Sequence, residues 1–296
     1  GKDSGHATFQ MGYWWIELGG EYDSIRDTER LRDELLKIVF GVWDHIKNHG
    51  DHGADNWALE WVEFLPGKRE SRRYLGDHIL TQRDIEAGGA FPDVVAYGGW
   101  PMDDHHPAGF RAAKRGHPAT IFHPAPSPYG IPYRCLYSRN VDNLFFAGRD
   151  ISATHAAMSS TRVMGTCTVL GQAAGAAAAL AACHGLLPRD VNDRVGELQQ
   201  LLLRDDCYLP GVAQTFEPLT AEAALHASQG DPAPVRDGVN RPVGDDYHGW
   251  RCRPGDWISY TFARPAHVRS ATLVLDSDLT AHIFFSHYAD YGQRTT

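Results

Sequence analysis

The 296 residues carry 28 Lys and Arg against 37 Asp and Glu, a formal net charge of -9, with no long basic run. That balance argues against nucleic acid as the main partner. Hydrophobic residues at 43% and charged residues at 22% fit a chain that folds around a core, and the length allows two domains.

The five cysteines, Cys135, Cys167, Cys183, Cys207 and Cys252, are scattered and form no CxxC pair. A structural zinc site is not expected, and mostly free thiols are. Gly1-Lys2-Asp3-Ser4 does not read as a signal peptide. Compartment and oligomeric state stay open.

In chain order, residues 21–49 read as a helix, with Leu31, Leu35, Ile38 and Val42 at helical spacing and a start near Asp27-Thr28-Glu29. Gly50 to Gly53 reads as a break, and the aromatic-rich residues 57–65 as a strand. Residues 66–134 are rich in Gly and Pro, which predicts loops and binding surface with short strands at 93–97 and 131–136. Residues 143–147 (NLFFA) read as a strand ended by Gly148. Residues 163–183 are long and uncharged, but mostly Ala and Gly. They are read as a buried helix of a soluble protein rather than a membrane span. Residues 190–205 read as an amphipathic helix closed by Tyr208-Leu209-Pro210-Gly211. Composition shifts near 215, and strands are expected at 257–262 and 270–275. A β-sandwich-like module over 216–296, short of a full strand set, is the expected second domain after residues 1–215.

The chemistry concentrates in Asn143 to Asp150 and the stretch from Ser152 to Gly175. This is a strand, a Gly turn with an acidic residue, a loop and a small-residue helix. Gly148 permits close backbone approach to a ligand. Asp150 offers a carboxylate to sugar-like hydroxyls. A helix starting near Ser160-Thr161 would aim free amides from Arg162 to Gly165 at an electron-rich group. A reduced flavin, negative around N1 and the C2 carbonyl, is such a group.

From Asn143 to about Gly175 the chain resembles the C-terminal FAD motif of glutathione-reductase-like flavoproteins. Over roughly residues 9–212 it is similar to bacterial FAD-dependent oxidoreductases. The resemblance is carried by Trp15-Ile-Glu-Leu-Gly-Gly20, Gly41-Val-Trp43, Lys47-Asn48, Pro66-Gly-Lys-Arg-Glu-Ser-Arg-Arg73 and Gly76-Asp-His-Ile-Leu-Thr81. Phe91-Pro-Asp-Val-Val95, Ile131-Pro-Tyr-Arg134 and Leu198-Gln199 also carry it.

The resemblance implies an α/β flavoprotein, α+β as seen in this chain: a partial FAD/NAD(P)-binding-type fold with the C-terminal sandwich-like module. It implies FAD as cofactor, with Gly148, Arg149, Asp150, Thr161, Arg162, Val163, Met164 and Gly165 as its contacts. Asp150 would lie by the ribityl or pyrophosphate, and the amides near Val163 and Met164 by the flavin C2 carbonyl. Such proteins hold the ADP moiety with an N-terminal GxGxxG turn. No GxGxxG occurs in this sequence. The nucleotide-binding half is therefore expected outside it, on a longer chain or a partner.

His155 is a candidate general base, with a hydrogen-bonded structural histidine as the equal alternative. Arg69, Arg72 and Arg73 form either an anion-binding cluster or a surface ion-pair network, and Arg73 is assigned the site role. Asp103-Asp104-His105-His106 has no obvious third metal ligand, so no metal is expected. Tyr129, Tyr133 and Tyr137 fit substrate contact and core packing equally. Trp250, Trp257 and Tyr260 are candidates for sugar stacking, with burial the expected fate of Trp257. The module from 216 is faintly similar to galactose-binding-like domains.

The expected function is hydride transfer from a small substrate to flavin, with a carbohydrate-derived substrate as one version. The alternative is a non-catalytic carbohydrate-binding or scaffold module.

Overall fold

The computed structural model describes residues 16–49, 52–68 and 72–276. Trp15, Arg69 and Glu70, which figure in the resemblance, lie outside the described residues, as do Gly50 and Asp51.

Helix α1 spans Thr28–Asp44 and continues into a π-helical turn, His45–His49. Helix α2, Gln82–Glu86, is short and closed by a capping box. The Thr81 hydroxyl accepts from the Asp84 amide at 3.3 Å, and the Asp84 carboxylate accepts from the Thr81 amide at 2.8 Å. Strands β1 (Val94–Gly98), β2 (Met102–His105), β3 (Thr120–His123) and β4 (Tyr129–Pro132) follow. Helices α3 (His155–Thr161), α4 (Met164–His184) and α5 (Val195–Arg204) come next, with a 3-10 turn at Pro188–Arg194 leading into α5. Helix α6 (Pro218–Ala221) and strands β5 (Ala224–Ala227) and β6 (Ile258–Thr261) follow. The strands pair two by two: β1 with β4, β2 with β3, and β5 with β6. This is an α+β arrangement of helices and small sheets.

Two compact units are present. The first comprises the described residues up to Arg72 together with Asp103–His123. Here Arg111 donates to Tyr22 and Glu34, and Arg115 pairs with Glu21. Gly109, at φ +52°, packs against the Glu17 backbone, where a side chain would collide.

The second unit comprises 73–102 and 124–276 and holds a large apolar core. The antiparallel β1–β4 pair packs against α4 and α5. Gln199 of α5 donates to the Pro92 and Val94 carbonyls at 2.9 and 3.0 Å, tying helix to strand. Arg134 makes a two-pronged bridge to buried Asp93 at 2.9 and 3.0 Å. The three tyrosines resolve to core. Tyr129 meets Ser160 at 2.5 Å, Tyr133 donates to the Pro188 carbonyl at 2.5 Å and Tyr137 donates to Asp77 at 3.0 Å. Burial pushes the Tyr129 phenol up to about 12 and the other two well above the usual range.

Five expectations about elements change. The strand expected at 131–136 lies at Tyr129–Pro132 and gives way to a 3-10 turn at Tyr133–Cys135. Residues 57–65 form no strand; Trp57, Trp61, Phe64 and Leu65 are exposed. Residues 143–147 make only a single bridge, Phe145 to Tyr137, because the partner segment turns away after Ser138. Residues 270–275 form no strand, since no ladder partner adjoins them among the described residues and Leu273 and Leu275 stay exposed. Trp257 is 54% exposed, because the two-stranded β5–β6 pair has no opposing sheet among the described residues. Helix α4 is long and apolar enough to cross a membrane by length and composition. One face, including Leu170, Ala173, Ala177 and Leu180, is buried in the core. The other face is exposed.

Candidate functional site

Three segments of the second unit are stitched by backbone hydrogen bonds. His78 donates to the Arg134 carbonyl at 3.1 Å, Ser152 to Cys135 at 3.0 Å, Leu80 to Ser152 at 3.0 Å and Thr154 to Leu80 at 2.8 Å. Gly76 makes this closeness possible: a Cβ there would run into the Arg134 carbonyl and the Ser152 side chain. The frame holds the turn at 148–150 on one side and the start of α3 on the other.

Gly148 sits at φ +87°, and a Cβ added there meets nothing within 4 Å. The glycine is thus required by backbone conformation, and the space beside it is open. Asp150 follows. Its Oδ1 is buried and has no hydrogen-bond partner. Burial raises the carboxyl above the usual range, against backbone N–H groups of Asp150 and Ala147 that pull it down. The Ser152 and Thr161 hydroxyls are also buried and unpartnered. Such orphans are uncommon in a finished interior and mark places where a ligand or water completes the bonding.

The helical part differs from expectation. The break falls at Arg162–Val163, and α3 precedes it as a separate helix capped by the Thr154 hydroxyl. The carbonyl end of α3 is occupied: the Arg162 guanidinium donates to Ser159 at 3.2 Å and the Cys167 thiol to Thr161 at 3.7 Å. The Arg162 amide donates to Met158 at 3.1 Å, so it is not free. Helix α4 has no side-chain cap, and its first internal bond runs from Cys167 to Val163 at 2.9 Å. The amides of Met164, Gly165 and Thr166 therefore have no intrahelical partner. The amides without an intrahelical partner are thus those of Met164–Thr166, shifted from the expected Arg162 to Gly165. Val163 supplies its cap position, and Met164 is 80% exposed.

Cys167, which the sequence presents only as one of five scattered thiols, belongs to this neighbourhood. Burial raises its thiol, the Arg149 guanidinium lowers it and Asp150 raises it further. Its position three residues after Met164 was the available signal. Arg149 is exposed. His155 is the first residue of α3 and exposed. Arg73 is exposed in an irregular segment three residues before Gly76. The described residues contain no group of three or more His, Cys, Asp or Glu able to hold a metal.

A family model described as FAD dependent oxidoreductase matches residues 2–202. The chain belongs to the FAD-dependent oxidoreductase family. Membership makes it an enzyme with FAD as cofactor and a small-molecule substrate, and so displaces the scaffold alternative. No curated protein and no solved structure matches the chain. The residues of this oxidoreductase fit the cofactor. An open Gly148 turn, an orphaned Asp150 oxygen and an uncapped helix start together offer what a polyhydroxylated, electron-rich group needs.

Proposed function

We propose that the 148–166 region holds the flavin and ribityl portion of FAD in the manner of glutathione-reductase-like flavoproteins. The observation that carries this reading is the buried, unpartnered Asp150 Oδ1. A ribityl hydroxyl donating to it would satisfy the atom and remove a desolvation cost. The amides of Met164–Thr166 and the positive end of the α4 dipole would stabilise negative charge on the flavin ring. When bound, FAD accepts hydride from a substrate C–H bond. His155 would accept a proton from the substrate as its C–H is oxidised, and Arg73 would orient an anionic substrate group. The GxGxxG turn for the ADP moiety is assigned outside these 296 residues. The segment from 216 is assigned to a galactose-binding-like module. Exposed Trp257 there supports a carbohydrate-derived substrate, since an accessible indole can stack on a sugar.

The test is a visible spectrum of the full-length protein and of its Asp150→Ala variant. Yellow absorbance in the parent and at least a tenfold loss of FAD affinity in the variant are expected. A variant that binds FAD as tightly as the parent removes Asp150 from the site.

A further inference from the structure

In the first unit, far along the sequence from the flavin-facing stretch, two imidazoles face each other. His45 opens the π-helical turn and His52 follows on the next loop. Their Nε2 atoms are 3.3 Å apart, with ring centroids at 5.3 Å and planes inclined by 71°. Both side chains are half-buried.

Two features of the chain hold this geometry. The π-helical turn re-aims side chains relative to a regular helix, a device common at functional sites. Lys47, two residues after His45, turns its ammonium onto the loop that carries His52. It donates to the carbonyls of Ala54, Asp55 and Trp57 at 3.1, 2.5 and 2.9 Å. An ammonium has three protons, and these three bonds match them. The lysine therefore acts as a clasp between the helix end and the loop. The nearby Asp44 carboxylate is engaged by His49 at 3.3 Å and Asn48 at 2.8 Å.

The spacing matches a coordination sphere. Two nitrogens, each about 2.0–2.1 Å from a tetrahedral zinc, lie roughly 3.3–3.4 Å apart. We propose that His45 and His52 form a bidentate site for a divalent transition metal of the zinc, nickel or copper class, with water in the remaining positions. Imidazole suits these metals over calcium or magnesium. Both rings would present unprotonated Nε2 atoms with the proton on Nδ1. A proton shared between the two Nε2 atoms therefore moves within its own ring when the metal enters. Because neutral imidazoles are required, binding weakens with acid. The site's proposed role is to pin the 52–57 loop to the end of α1.

The test is a calorimetric titration of the EDTA-treated chain with Ni2+ and with Zn2+ at pH 7.5. The parent, His45→Gln, His52→Gln and a His123→Gln control are compared. The tightest saturable event is expected to weaken at least tenfold in each site variant, to be unchanged in the control and to weaken in the parent at pH 5.5. Equal binding by the parent and both site variants overturns the proposal. So does the absence of any saturable event in the parent. A second readout needs no variant: 15N resonances of the His45 and His52 rings in the parent should both shift at Nε2 on Zn2+ addition. If both stay in place while other histidines shift, the site is elsewhere.

Discussion

At the scale of single residues, two aspartates with opposite shifts give opposite pH behaviour. Asp150 is raised by burial, so its ionised form weakens the fold. Its cost is absent below the ordinary carboxyl range and develops as pH rises through the folded value. Asp150→Asn should therefore melt higher than the flavin-free parent at pH 7, with the gap closing towards pH 3.5, while FAD affinity falls. Asp84 runs the other way. Burial pushes its carboxyl up, but the Thr81 amide and hydroxyl and His78 outweigh this and hold it below the usual range. Its contribution is present above the ordinary carboxyl range and is lost as pH falls through the lowered value. Asp84→Asn should lower stability at pH 7 and much less at pH 3. Thermal melts of the two variants against the parent across this range check both signs. A gap of the same sign for both would contradict the assignments.

At the scale of elements, the β1–β4 pair is the most constrained part of the second unit. Gly130 lies on β4 where a Cβ would collide with the Gly89 carbonyl and press on Val94. Since the obstacle is backbone, it cannot swing aside as a side chain would. Gly130→Ala should destabilise by about 1–3 kcal/mol in urea unfolding. A change within 0.5 kcal/mol, about the level of a neutral surface substitution, would show that the pair has room.

Elements whose signal is local were legible in sequence. Helix α5 came from its leucine spacing, α4 from its small-residue run, and β1 from Val94-Val95. The misread elements needed partners that sequence does not display. Residues 57–65 and 270–275 have strand-like composition but no ladder neighbour among the described residues. The break at Arg162–Val163 was hidden because no proline or glycine marks it. It rests on bonds from Arg162 and Cys167 to the α3 carbonyls. The Gly148–Asp150 turn was readable because positive φ leaves a glycine in the sequence. The lone Asp150 oxygen was not, since satisfaction of a buried atom depends on everything packed around it.

At the scale of the whole molecule, the family match runs through both units, whose sequences interleave at 72–73, 102–103 and 123–124. The residues proposed to face the flavin all belong to the second. Within that unit α4 combines two properties: an uncapped start and, further on, glycines at 171 and 175 whose added Cβ atoms would meet nothing within 4 Å. Each such glycine inside a helix costs roughly 0.5–1 kcal/mol relative to alanine. These glycines lower the intrinsic stability of the helix proposed to present its amides to the cofactor. Its deuterium uptake should consequently report occupancy. In flavin-free protein the amides of the first half of α4 should exchange quickly, and on FAD addition they should slow at least tenfold while those of α5 change little. Deuterium uptake along α4 would thus serve as an occupancy gauge for the proposed site, readable by mass spectrometry without any colour change.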